Sequence, residues 1–172
     1  MLTMLTMAMG FLFCSLSLGI SEGSYSNLID MFTRDRTGHI QVHREGYLDR
    51  PTLYNTIRDV GPIGETIASL PDVEAWAPRV FSPVLAAAGT KTSGARIVGV
   101  EPTLEAGTTR LKGKVSAGQF LSERPGAEVM LGHGLAEILK VGVGGEVVLI
   151  GQAADGSIAN DLFRVVGGVG SQ

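Results

Sequence analysis

The sequence predicts an α+β protein in which an N-terminal transmembrane helix precedes a domain dominated by strands. Residues 1–21 contain no charged side chain. Segments of alternating apolar and polar residues follow, with short helical stripes between them. The 172 residues, 44% hydrophobic and 18% charged, are enough for one ordinary domain or two small ones with a real core.

The uncharged N-terminal segment is long enough to cross a membrane. About 20 helical residues at about 1.5 Å each span the hydrocarbon core of about 30 Å. The alternatives are a secretory signal peptide and the buried helix of a soluble protein. A signal peptide has a basic n-region and a small-residue cleavage site, which are missing here, and a soluble surface helix has a polar face. We therefore expect a transmembrane helix over residues 1–24, followed by a connector over residues 25–37.

Both ends of the sequence suggest a longer protein. Positive residues normally flank the cytoplasmic end of a first membrane helix, and none precedes this one. Residues 161–172 predict a strand that stops without a partner or a cap. We expect more protein beyond both termini.

Charge and composition argue against several classes of function. The net charge is −3, without a run of Lys and Arg, so nucleic acid is not an expected partner. The single cysteine, Cys14, cannot form an intrachain disulfide, and no Cys/His spacing suggests structural zinc. Five residues separate Gly107 from Gly113, where a phosphate-binding loop has four. No cofactor is expected.

The stretch "HIQVH" contains two of the three histidines, His39 and His43. Ile40 and Val42 alternate with polar residues, which predicts a strand with one apolar and one polar face. Residues four apart on a strand are about 13 Å apart at their Cα atoms, too far for two imidazoles to hold one ion without a further ligand. Only His133 could add an imidazole. A solvated strand face explains the pattern, and we expect no metal site.

Residues 19–23, "GISEG", match the G-x-S-x-G pattern of a serine-hydrolase nucleophile elbow around Ser21. That elbow joins a strand to a helix, whereas this segment follows an apolar helix. We interpret it as a polar exit from the membrane helix and expect no catalytic residue here.

Helical and strand patterns fill the first half of the domain. A proline-started apolar stripe is interrupted by Gly61-Pro62, which predicts a kinked helix or two short helices. Residues 71–89 and 95–100 are rich in β-formers and broken by turn residues, typical of strands, with Trp76 as a packing residue. The stripe consists of Leu53, Ile57, Val60, Ile63, Ile67 and Leu70.

The second half contains one short helical stripe, Leu135, Ile138 and Leu139, which ends at Lys140. Glycines then lead into a strand over residues 146–150. The glycine-rich stretch 151–161 connects it to a further strand, "LFRVVGGV". This half is therefore an α+β unit dominated by strands.

The order of these segments resembles the MacB/LolC/LolE-type (FtsX-like) permeases, the membrane subunits of bacterial ABC transporters. The resemblance runs through "GHIQVH", "LPDVEAWAPRV", "ARIVGVEP", "AGQFL" and "FRVVGGV". Its most specific piece is "VMLGHGLAEILKVGVGGEVVLI". His133 and Gly145 depart from the family pattern, which has a basic and an acidic residue there. The residues that fit the pattern are Gly132, Gly134, Leu135, Ala136, Leu139, Val141 and Gly144.

The resemblance implies a division of the chain and a role. Residues 1–24 would be the end of membrane helix one, residues 38–100 an incomplete mixed α/β "porter" part, and residues 101–172 a strand-rich "sabre" part. The domain after residue 24 would lie in the periplasm, anchored in the bacterial inner membrane. It would transmit ATP-driven motion to move substrate outward, in lipoprotein release or efflux, and would not itself be an enzyme.

The family also implies partners. These are an ABC ATPase subunit or domain, a second permease subunit, membrane lipid, and a periplasmic carrier or membrane-fusion protein. In lipoprotein-releasing systems one permease recruits a chaperone through a protruding hook between the sabre strands. The corresponding residues here, 151–161, lack proline and fit a plain hairpin turn. An alternative from another class is a membrane-anchored extracytoplasmic binding module without transport activity.

Overall fold

The computed structural model describes residues 1–33, 38–49, 51–124, 126–153 and 155–170, and these divide into two compact units, 1–41 and 42–172. The described residues form four α-helices: α1 (Leu2–Phe32), α2 (Gly61–Ala68), α3 (Pro102–Thr108) and α4 (His133–Leu139). Short 3₁₀ helices cover Leu53–Asn55 and Leu111–Lys114. The strands are β1 (Arg79–Ala88), β2 (Lys91–Val100), β3 (Val115–Gly118), β4 (Glu128–Gly132), β5 (Glu146–Gln152) and β6 (Ile158–Val169).

The first unit is dominated by α1. Every side chain from Met1 to Tyr25 is exposed to solvent, because apolar residues occur all round the helix and nothing within the unit covers them. The helix continues to Phe32, eight residues beyond the predicted end of the membrane segment at residue 24. The first residues of the predicted connector are therefore helical.

The second unit is built on one curled sheet of six strands in the order β2-β1-β5-β6-β3, with β4 also paired to β6. β1 and β2 form a long hairpin, with Arg79 opposite Val100 and Ala88 opposite Lys91. β5 and β6 form a second antiparallel hairpin. β4 is parallel to β6, and the other pairs are antiparallel. The predicted α+β class with an N-terminal apolar helix is confirmed.

Strand β6 links most of the sheet, since it pairs with β5, β3 and β4. Its pairings with β3 and β4 both contain a register shift near Gly167. A Cβ atom at Gly167 would lie 2.3 Å from the carbonyl oxygen of Gln119. Glycine is therefore required where the backbones approach this closely.

The core lies between this sheet and α4. Along β5, the buried Val147 and Leu149 alternate with less buried neighbours, as expected for a strand with one covered face. From α4, Leu139 is buried to 2% exposure, and the helix packs over β2, β4 and β6. Ile138 was predicted in the same stripe but is 56% exposed. The core cluster is Ala86, Leu131, Leu139, Val147, Leu149 and Val165.

Helix α4 ends at Lys140, as predicted, in a left-handed conformation with φ of 54°. The N–H of Val141 donates to the carbonyl of Ala136 at 3.2 Å, and that of Lys140 to the carbonyl of Glu137 at 3.3 Å. This double closure is a Schellman motif, which usually has glycine at the left-handed position. The chain thus turns sharply from the helix towards β5.

The strand predicted around His39 to His43 is wrong. Residues 38–43 have no strand conformation, and Ile40 and Val42 are 84% and 55% exposed. Alternation predicts a strand only if another strand satisfies its backbone groups, and no described strand pairs with this segment.

The helical stripe that starts after Pro51 forms two short helices, one of the two predicted outcomes. A single 3₁₀ turn covers Leu53–Asn55, and Pro62 lies in the first turn of α2, where its missing N–H costs nothing. Trp76 packs on α2, because a Cβ atom at Gly64 would lie 2.1 Å from its indole ring. The prediction of a packing role for Trp76 is confirmed.

Strands from before and after residue 100 lie in the same sheet, since β1 pairs with β5 from Val84 opposite Gly151 to Ala87 opposite Val148. The division into a porter part and a sabre part at residue 100 stays a prediction. Sequence patterns did not indicate α3, β3 or β4.

Candidate functional site

The first candidate region is α1. Its segment Leu2–Tyr25 has 24 residues, the most apolar 18 of which have a mean hydropathy of 1.8 and are not buried. A helix of this size is about 36 Å long, against a hydrocarbon core of about 30 Å. Glu22 is the only charged side chain in the segment. Length and composition therefore permit a membrane crossing.

Ser21, the candidate nucleophile, lies inside α1 with an exposed side chain. A nucleophile elbow needs a strand before the serine, and no strand occurs in the described residues 1–33. The sharp turn that would expose and activate the hydroxyl is missing from this segment. A fluorophosphonate probe should leave Ser21 unlabelled.

The three histidines have separate surroundings. His43 is stacked on Tyr47 with ring centroids 4.8 Å apart, and His133 Nε2 lies 3.2 Å from Glu137 Oε1, one helical turn away. The side chains of His39 and His43 are exposed. Within the described residues, no group of three or more His, Cys, Asp or Glu side chains could hold a metal ion. Cys14 is an exposed free thiol in α1.

A buried ion pair between β1 and α3 was not indicated by any sequence pattern. Glu105 is fully buried, and Arg79 is 22% exposed at its side chain. Arg79 Nε donates to Glu105 Oε2 at 3.0 Å, and Nη2 of the same guanidinium donates to Oε1. The Thr109 hydroxyl lies 2.7 Å from Oε1 and can also donate to it. This arrangement fixes α3 against the start of β1.

Sequence reasoning missed Glu105 for a physical reason. Residues 101–114 are polar and rich in glycine, which is typical of a solvated connection. A charged residue is buried only when a partner compensates its lost hydration, and Arg79 is 26 positions away in the chain. Nothing local in the sequence marks such a pair.

The tip of the β5–β6 hairpin is a tight turn. Gln152 is paired with Ile158, so five residues, 153–157, connect the strands, and Ala154 lies outside the described residues. The Ala153 N–H donates to the Ser157 carbonyl at 2.9 Å. Asp155 Oδ1 accepts hydrogen bonds from the hydroxyl of Ser157 at 2.7 Å and from its N–H at 3.0 Å. These bonds lower the pKa of Asp155.

The described residues thus combine an apolar helix able to span a membrane with a firmly paired α+β domain whose ion pair and turn are structural. Comparison with protein families identifies the family to which this architecture belongs. The MacB-like periplasmic core domain family matches residues 1–171, and the chain belongs to that family. The match confirms the resemblance to the FtsX-like ABC transporter permeases. A search of curated proteins finds no match.

Proposed function

We propose that the chain belongs to a permease subunit of a bacterial ABC transporter of the lipoprotein-releasing or efflux type. The domain would transmit ATP-driven motion and so move substrate out of the inner membrane or the periplasm. One observation carries the proposal: the family match covers the apolar helix and the sheet domain together, over residues 1–171. Membership of an ABC transporter permease family then connects the domain to ATP-driven transport.

The packing of the sheet supports a mechanical role. A domain that transmits displacement must move as a rigid body rather than deform, and close-packed interiors have low compressibility. β6 is hydrogen-bonded to three strands, and Val147, Leu139 and Val165 are at most 2% exposed. A force applied at one strand of this sheet would reach the others through backbone hydrogen bonds.

The source of energy would lie outside residues 1–172. No segment has the spacing of a phosphate-binding loop, so we assign ATP hydrolysis to a separate ATPase domain or subunit and no catalytic role to this one. The other proposed partners are a second permease subunit, membrane lipid, and a periplasmic carrier or membrane-fusion protein.

Transport can be tested with a spin label on the hairpin. In a Cys14→Ser background, Ser157→Cys provides one exposed labelling site within residues 1–172, and the labelled permease is purified from its native membrane. We expect an ABC ATPase to co-purify, and ATP with vanadate to shift the distance between the labels of two permease subunits. A tethered binding module would show neither an ATPase nor a nucleotide-dependent distance.

The side of the membrane can be tested with the same variant. We propose that α1 crosses the inner membrane and that the domain after residue 24 lies in the periplasm. A membrane-impermeant maleimide should then label Ser157→Cys in cells with a permeabilised outer membrane. Ser17→Cys, inside the proposed span, is the matched control and should remain unlabelled. Labelling of Ser157→Cys only after lysis would place the domain in the cytoplasm.

The hairpin tip also bears on the substrate route. The described residues of this short connection, Ala153 and 155–157, are tied together by hydrogen bonds, so we propose that this chain does not itself dock a lipoprotein chaperone. It would be the hookless partner of such a system or a subunit of an efflux-type exporter. Photo-crosslinkers at Gln152 and Ser157 should give no specific adduct, and a saturable adduct with a soluble lipoprotein carrier would contradict this.

A further inference from the structure

Strand β2 forms an open edge of the sheet. Its ten residues pair only with β1 in the described part of the chain. Gly89 and Thr90 connect Ala88 to Lys91, and in such a two-residue hairpin the flanking pair is hydrogen-bonded. The alternation then directs the N–H and C=O groups of the even-numbered residues of β2 away from β1. No described backbone group bonds to them, so they can pair with an added strand.

The sheet face beside this edge is apolar. The core and α4 lie on the other face, and the side chains of Phe81, Leu85 and Val98 point outward with 37%, 44% and 40% exposure. Phe81 is directly opposite Val98 in the hairpin. A strand added to β2 would extend this apolar face by one row of side chains.

The charged side chains on the edge strand β2 are all positive. β2 contains Lys91 and Arg96 and no acidic residue. Arg96 is exposed, and its guanidinium carbon lies 5.6 Å from the centre of the Phe81 ring, within the range of a cation–π contact. The positive charge is thereby held on the apolar face, next to the unpaired backbone of Arg96 itself.

We propose that the edge of β2 binds an extended segment of another protein by strand addition, and that this segment carries an acidic side chain opposite Arg96 between apolar residues. Backbone hydrogen bonds would supply affinity, and the carboxylate and its apolar neighbours would supply selectivity. A second copy of β2 is a poorer partner, because it would bring two further cations against Lys91 and Arg96. This inference concerns the sheet alone and can fail independently of the proposed transport function.

The test uses two labelled peptides and the whole chain in detergent micelles. Each peptide has eight residues of alternating valine and threonine, with glutamate at the fifth position in one and lysine in the other. We expect fluorescence anisotropy to show at least tenfold tighter binding of the glutamate peptide. Equal binding of the two peptides, or binding of neither, would overturn the proposal.

Two variants locate the binding at β2. Arg96→Glu should reverse the preference, so that the lysine peptide binds at least tenfold tighter. Val98→Pro removes an outward N–H without breaking a bond to β1 and should weaken the glutamate peptide at least tenfold. Val98→Ala, the matched control, keeps the N–H and should change binding less than threefold.

Fluorescence of Trp76 checks that each variant is folded. If Val98→Pro does not fold, the peptide preference of Arg96→Glu alone tests whether binding occurs at β2. An unchanged preference in folded Arg96→Glu would overturn the proposal. The proposal would also be overturned if the chain formed a dimer without peptide, if this dimer excluded the peptides, and if Val98→Pro dissociated it. The edge of β2 would then bind a second copy of the chain.

Discussion

Helix α1 and strand β5 are both rich in apolar residues, yet their side chains have opposite surroundings. In α1, Phe11, Leu12 and Leu16 are 61–73% exposed. In β5, Val147 is fully buried and Leu149 is 8% exposed, alternating with less buried neighbours. The apolar content of a segment indicates that its side chains are shielded from water. The spacing of the apolar residues indicates whether lipid or a protein core shields them. Apolar residues on all sides suit lipid, and apolar residues on one face suit a protein core.

The largest effect should come from a charge in the strand core. Val147→Asp places a carboxylate without a partner at a fully buried position and should cost at least about 4 kcal/mol of unfolding free energy. Urea unfolding followed by Trp76 fluorescence measures this. Glu146→Asp is the control on the exposed neighbour and should change stability by less than about 0.5 kcal/mol.

The second largest effect should come from breaking the buried ion pair, which measures the stability lost when a buried charge loses its partner. Glu105→Ala leaves Arg79 without its carboxylate and should cost about 3 kcal/mol in the same assay. The double variant Arg79→Met/Glu105→Leu should recover most of that loss, because it removes both charges and preserves apolar volume. A double variant as unstable as Glu105→Ala would mean that the loss comes from packing rather than from the unpaired charge.

A charge in α1 should affect membrane insertion instead of folding. Leu12→Asp lies near the middle of the span and should cost about 3 kcal/mol of insertion free energy, seen as a smaller carbonate-resistant membrane fraction. Urea unfolding of the sheet domain should be unchanged. If Leu12→Asp destabilised that domain as Val147→Asp does, α1 would be a core helix rather than a membrane span.

Overpacking should have a smaller effect. Gly64→Ala would place a methyl group 2.1 Å from the Trp76 ring and should cost about 1–3 kcal/mol, with a shift in Trp76 emission. Gly107→Ala is the matched helical control, since no atom lies within 4 Å of its added Cβ. It should be neutral or slightly stabilising.

The smallest effect should be a gain. Lys140 is the only non-glycine residue with positive φ among the described residues, and glycine adopts that conformation without a Cβ penalty. Lys140→Gly should stabilise the domain by up to about 1 kcal/mol. Lys112→Gly, outside any left-handed position, should give no gain. If Lys140→Gly were destabilising, contacts of the lysine side chain would outweigh the backbone term.

Local patterns predicted the elements that depend on local chemistry. The uncharged segment predicted α1, the β-formers of residues 71–89 and 95–100 predicted β1 and β2, and the stripe from Leu135 to Lys140 predicted α4. The hairpin of β5 and β6 also followed from the apolar stretch 146–150 and the glycine-rich residues 151–161 after it.

The features that escaped prediction depend on distant partners. β4 pairs with β6 through residues 36 or 37 positions apart in the chain, Glu128 opposite Arg164 being one such pair. Arg79 and Glu105 are equally invisible to a local pattern. The prediction for the segment from His39 to His43 was wrong in the opposite way. Its residues alternate as in a strand, but no described strand pairs with them.

The triple pairing of β6 has a consequence for the order of folding. β6 comes last of the six described strands along the chain. β3 and β4 pair only with it, whereas β5 also pairs with β1. During synthesis, which adds about 5–20 residues per second, the β1–β2 hairpin can close on its own because its contacts are local. β5 can then add to β1, but β3 and β4 stay unpaired until β6 emerges, and over that interval their edges are exposed to aggregation. β6 then joins β3, β4 and β5 in one sheet, so the domain should gain much of its stability in one late step.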